Sequence, residues 1–181
     1  MNLHLGYLPG CIGRVVEMHA TYYARAVGFG APFEAKVAAE LAQFCRHFEA
    51  GRDGLWLAED AGVIHGSVAI DGSHYQASGA HLRWFITSDA MRGKGLGAQL
   101  LGAAMAFCQA QGYRKAYLWT FDELHAARHL YEKFGFKLAR MQRGSQWGKE
   151  VNEQLFTFGD ASTATDPPMG RGNRRATGAD S

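Results

Sequence analysis

Apolar positions in the first fifty residues recur at helical spacing, and after that the period shortens. Val15, His19, Tyr22, Tyr23 and Ala26 fall three or four residues apart, as do Phe33, Val37, Leu41, Phe44 and Phe48, which predicts two amphipathic helices. Ahead of them, "LHLGYLP" predicts a short first strand broken at Pro9-Gly10. "GLWLAED" and "VIHGSVAID" predict two strands joined by the turn-prone Asp60-Ala61-Gly62, and "AHLRWFIT" a third, rich in aromatic and branched residues. A glycine-rich corner, "AMRGKGLGAQLL", then leads into a helix with Leu96, Leu100, Leu101, Ala104, Met105 and Cys108 on one face and Gly112 placed to cap it. "AYLWTF" predicts a strand, and Asp122 is placed to cap the next helix. That helix turns Leu124, Ala127, Leu130, Tyr131 and Phe134 inward and stops at Gly135. "FKLARM" and "VNEQLFTF" complete the sheet.

This order predicts an α/β (α+β) fold in a single domain over residues 1–159, a central mixed sheet with helices on both faces. From Asp160, "DASTATDPPMGRGNRRATGADS" has no aromatic residue, two adjacent prolines and balanced charge, so residues 160–181 are expected to form a disordered tail. A net charge of +2, spread evenly, gives no reason to expect nucleic acid as a partner. The chain has no apolar run of the roughly 18 residues a membrane span needs, and "MNLHLGYLPGCIG" is unlike a secretion leader, so no membrane partner and a cytoplasmic location are expected. Cys11, Cys45 and Cys108 are odd in number and lie within or beside apolar patterns, which predicts buried thiols rather than a disulfide framework. They form no CxxC pair, and no metal is expected.

Any ligand must therefore be argued from a local site, and the glycine corner is the first candidate. A helix N-terminus presents unpaired N–H groups and about half a positive charge, which suits a phosphate. Glycine permits positive φ and lets an anion come close to the backbone. Arg92 and Lys94 add charge. A Walker A loop is excluded, because the lysine comes early and Leu96 follows the second glycine of Gly93-Lys94-Gly95. Gly93-x-Gly95-x-x-Ala98 fits a dinucleotide fingerprint, with Asp122 about where a ribose-binding acid belongs, although some ninety residues precede what would be the first βαβ unit. A glycine-rich helix entry without a ligand is the third reading.

The residues downstream of the corner separate these readings. "MRGKGLGAQLL" resembles motif A of the GNAT superfamily of N-acetyltransferases, [QR]-x-x-G-x-[GA], in Arg92, Gly95 and Gly97. "AARHLYEKFGF" resembles that family's motif B, A-x-x-L-Y-x-x-x-G-F, in Ala127, Leu130, Tyr131, Gly135 and Phe136. "YLWTFDELHAARHLY" is also similar to the acetyltransferase half of bacterial proteins that fuse this domain to a MarR-type winged helix, a module not expected in this chain. The resemblance implies a sheet splayed between its fourth and fifth strands and acetyl-CoA as co-substrate. It implies that main-chain groups of Arg92, Gly93, Lys94, Gly95, Leu96, Gly97 and Ala98 hold the pyrophosphate, and that Phe85, Ile86 and Thr87 pair with the pantetheine arm.

For catalysis the resemblance implies Tyr131 as proton donor to the leaving sulfur, and it places His81 where relatives often carry a glutamate base. Imidazole titrates near neutral pH and suits that role; Glu123 and His125 are alternatives. Motif B often opens with asparagine where this chain has Leu124, so any contact made by that amide is absent or replaced. Tyr22, Tyr23, Phe33 and Trp147 belong to segments that in this fold wall the acceptor cleft. The expected activity is transfer of acetyl to a primary amine of a small molecule or peptide by a monomer or homodimer. The competing class is an acyl-CoA-binding sensor that keeps the cradle and catalyses little, with a dehydrogenase third.

Overall fold

A computed structural model describes residues 1–159; the expected tail lies outside them. The elements run β1 (Asn2–Leu5), α1 (Cys11–Val27), α2 (Ala31–Arg46), β2 (Gly54–Asp60), β3 (Val63–Asp71), the single turn α3 (Tyr75–Ser78), β4 (Ala80–Thr87), α4 (Leu96–Ala110), β5 (Ala116–Phe121), α5 (His125–Lys133), β6 (Lys137–Gly144) and β7 (Val151–Phe158). A 3-10 turn at Asp89–Met91 bridges β4 and the glycine corner.

The seven strands form one sheet in the order β1-β2-β3-β4-β5-β7-β6, antiparallel throughout except for the parallel pair β4/β5. Apolar residues on alternate positions of each strand feed two cores. On one face α1 and α2 place Val15, Phe33 and Leu41 with Leu57, Trp84 and Phe121. On the other, α4 and α5 place Leu100 and Tyr131 with Val68, Leu118 and Phe156. The predicted arrangement of helices on both faces is therefore found.

Three local expectations are corrected. The first helix begins at Cys11 rather than Val15, and Ala26 on its last turn is exposed. Cys45 is half-buried, whereas Cys11 and Cys108 are buried; all three are free thiols. Asp122 does not cap α5, which starts three residues later behind Leu124; its carboxylate instead accepts from Asn152 Nδ2 at 2.7 Å, tying β5 to β7.

The feature that builds a site is the parallel pair. β4 and β5 meet only at Ala80↔Ala116 and His81↔Tyr117. Beyond that point β5 follows β7 over its whole length, from Ala116↔Phe158 to Phe121↔Glu153, while β4 stays with β3 as far as Thr87. From Leu82 onward β4 has no strand partner on its β5 side among the described residues, so the sheet opens into a wedge.

Candidate active site

Within β4 the register slips: Ser67 pairs with Ile86 and Ala69 with Arg83, leaving Trp84 and Phe85 opposite Val68. This is a β-bulge, and Trp84 takes a φ of 47°, a left-handed conformation that costs a bulky residue of order 1–3 kcal/mol. Ser67 Oγ donates to the Trp84 carbonyl at 2.7 Å and secures it. The bulge lays the Arg83 guanidinium over the Trp84 ring, 4.0 Å from its centroid, and turns Phe85 to the opposite core, where it meets Tyr131 at a centroid distance of 5.7 Å.

At the mouth of the wedge stands the start of α4. Gly95 caps that helix with φ 81°, and a side chain there would project into open space. Gln99 N–H is the first amide of the helix to find a main-chain acceptor, the carbonyl of Gly95 at 3.2 Å. The N–H groups of Gly93, Gly95, Leu96, Gly97 and Ala98 have no acceptor among the described residues. Leu96 buries its side chain in the core and so fixes the direction of these amides. Gly97 has a different role from its neighbours: a Cβ there would lie 3.2 Å from Leu130 Cδ2 and 3.3 Å from Phe85 Cζ, so the residue is small to admit packing. Arg92 is not a free charge. It pairs with Asp89 at 2.5 Å and lies over the Tyr22 ring at 4.1 Å, and Asp89 also binds Arg25 of α1, so the corner is anchored to α1. Lys94 is exposed. Thr87 accepts from Arg92 Nη2 through its carbonyl at 3.5 Å, and Ile86 is buried.

Behind the mouth lies a cleft of about 1380 Å³ lined from both faces of the sheet, by Tyr23 and His19 of α1, His81 and Phe85 of β4, and Tyr131 of α5. Tyr131 is 6 % exposed, makes no hydrogen bond through its hydroxyl among the described residues, and is not a sealed orphan, so the hydroxyl opens on the cleft. Burial, with Tyr23 nearby, holds its pKa well above the usual range, and the phenol is protonated at neutral pH. Through the wedge, then, a tyrosine from each side of the sheet reaches one space. His81 sits at the closed end, stacked on Tyr117 with centroids 4.3 Å apart. Burial, then Arg83 and His74, push its pKa well below the ordinary histidine value, so the ring is neutral at pH 7. Glu123 and His125 are exposed and do not line the cleft. Leu124 is buried, packed in the α1 and α2 core.

Sequence periodicity placed His19 on a helical face but missed its chemistry. Its Nδ1 lies 2.8 Å from the carbonyl of Val15 and must donate to it, which leaves Nε2 as the basic nitrogen, open to the cleft. Burial pushes its pKa down to about 4. Glu153, 3 % exposed, was likewise missed: it alternates with Val151 and Leu155 in "VNEQLFTF", a pattern that places it on a strand face without showing what its carboxylate meets.

The family model for the acetyltransferase (GNAT) family matches residues 16–136, which span the wedge, the open amides and Tyr131. The chain belongs to the GNAT acetyltransferase family. Solved acetyltransferases share its fold. An acetyltransferase from Streptococcus agalactiae is 17 % identical, with a TM-score of 0.68 over 86 % of this chain and 97 % of that one. A spermidine N-acetyltransferase variant from Vibrio cholerae is 20 % identical, with a TM-score of 0.64 over 87 % and 94 %. A GNAT acetyltransferase from Elizabethkingia anophelis, solved with acetyl-CoA bound, is 17 % identical, with a TM-score of 0.56 over 67 % and 82 %.

Proposed function

We propose that this GNAT protein transfers the acetyl group of acetyl-CoA to a primary amine of a small molecule or peptide, by direct attack within a ternary complex. The observation that carries this reading is the run of unpaired amides at Gly95–Ala98, standing at the mouth of a wedge that has His81 at its closed end and Tyr131 on the cleft between. The amides and the helix start would hold the diphosphate. The unpartnered edge of β4 along Phe85, Ile86 and Thr87 would take the amide-bearing arm as an added strand does.

An ammonium with pKa near 10.4 is neutral in only about one molecule in two to three thousand at pH 7, a handicap of ~4–5 kcal/mol, so the cleft must relieve it of a proton. His81, neutral and at the closed end of the wedge, accepts that proton first, and the freed lone pair of the nitrogen then bonds to the thioester carbon. Main-chain N–H groups around the bulge would stabilise the oxyanion that forms. Tyr131 then gives its proton to the sulfur as the carbon–sulfur bond breaks, and the extra proton left on the nitrogen returns to the Tyr131 phenolate as the neutral amide forms. His19 is a second acceptor, favoured by its locked tautomer.

The experiment is thiol release from acetyl-CoA with pooled amines, peptides and antibiotics, in the wild type and in Tyr131→Phe. Release that depends on an added amine and on Tyr131 supports the reading. Tight acetyl-CoA binding without release under any acceptor favours the sensor.

A further inference from the structure

Carboxylates on the acceptor side of the cleft are mostly neutralised. Glu40 meets Lys36 and Arg83, Asp71 meets Arg83, and Asp53 is clasped by Arg52 and by the N–H groups of Glu49 and Gly72. Glu153 differs. It is buried, lines the cleft, and among the described residues accepts only neutral donors, Gln142 Nε2 at 3.3 Å and Gln146 N–H at 3.1 Å. Of the basic residues of its own hairpin, Arg143 pairs with Glu150 at 2.6 Å and Lys149 donates to the Val27 carbonyl at 2.5 Å, while Arg140, 5.8 Å from the centroid of the Trp119 ring, shares the cleft without an ion pair to Glu153.

A carboxylate taken out of water without a cation is costly, and its position here is built rather than incidental. A side chain at Gly144 would collide with the Glu153 carboxylate, so glycine makes the room for it. Phe121 stands directly across from Glu153 on β5, a pairing that brings Cβ atoms to about 5 Å. Trp147, next to the Gln146 amide, packs its ring 5.6 Å from that of Phe121. A carboxylate with aromatic side chains beside it complements a cationic nitrogen by charge and, where a ring face meets the nitrogen, by ring quadrupole.

We propose that Glu153, with Phe121 and Trp147, binds a protonated nitrogen of the acceptor, and that the preferred substrates are primary amines carrying a second cationic nitrogen. This rests on the acetyltransferase reading. The reacting nitrogen sheds its proton before it attacks, so the charge that stays with Glu153 through the transition state belongs to another nitrogen.

The test compares butane-1,4-diamine and hexane-1,6-diamine with butylamine and hexylamine in the wild type and in Glu153→Gln, which keeps an oxygen for the Gln146 amide. The wild type is expected to favour each diamine by about tenfold or more in kcat/KM. Glu153→Gln should erase that preference through KM, leaving the monoamines and the KM for acetyl-CoA unchanged. Equal wild-type rates on diamine and monoamine overturn the proposal. So does an equal loss on both in Glu153→Gln, which marks a structural or proton-accepting role instead. If no amine is turned over, the acetyltransferase reading fails, and calorimetric titration of hexane-1,6-diamine into the CoA-loaded protein still decides the subsite. Binding that Glu153→Gln abolishes sustains it; absent or unaltered binding overturns it.

Discussion

Ser67 Oγ donates a buried 2.7 Å hydrogen bond to the main-chain carbonyl of Trp84, and the strained bulge of β4 is held by that contact. Removing the hydroxyl leaves a buried acceptor unpaired at the point where the chain departs from strand geometry. Ser67→Ala should lower stability by about 1–3 kcal/mol, read from urea unfolding. It should also lower kcat, because the bulge turns Phe85 toward Tyr131. Unfolding curves that superimpose on the wild type would show that the bulge holds itself.

Tyr131→Phe removes a hydroxyl with no partner among the described residues, so the fold should keep its stability to within about 0.5 kcal/mol. Thiol release should fall by about a hundredfold in kcat, in line with the usual worth of general acid catalysis, with acetyl-CoA affinity unchanged. An unchanged kcat would remove Tyr131 from the chemistry while leaving the cradle intact.

The buried imidazole of His19 makes stability depend on acid. Its pKa is about 4 in the folded chain against about 6.5 unfolded. Between those values the unfolded chain takes up a proton that the native chain refuses, so stability falls as pH drops through that window, by about 3 kcal/mol at its lower end. Above it the group contributes nothing. His81, shifted the same way, adds to the slope. His19→Leu should therefore flatten, without abolishing, the difference in urea midpoint between about pH 7 and about pH 4.5. Parallel pH dependences in the two proteins would contradict the assignment.

Local rules made much of this legible. Periodicity located the main elements, and the glycine spacing after β4 located the helix start, because positive φ at Gly93 and Gly95 is a property of those residues themselves. What escaped was set by tertiary contacts. Nothing in "HLRWFIT" announces that Trp84 will adopt a left-handed backbone, since the cause is the Ser67 hydroxyl on a neighbouring strand. Asp122 has the composition of a helix cap, but Asn152 claims it from β7. Gly97 looked like a residue made small for a ligand and is small for Phe85 and Leu130. Glu153 and Gly144 explain each other only once β6 and β7 are paired.

The central claim is that unpaired amides at the start of α4 hold the coenzyme, and calorimetric titration of acetyl-CoA against NAD, in the wild type and in Gly95→Ala, tests it most directly. In Gly95→Ala a methyl group enters the open space and strains a φ of 81°, at a cost of roughly 1–2 kcal/mol. Saturable acetyl-CoA binding at one site, no binding of NAD, and an affinity for acetyl-CoA at least about tenfold weaker in the variant are the predicted results. Binding of NAD in place of acetyl-CoA, or acetyl-CoA binding indifferent to Gly95→Ala, would contradict it.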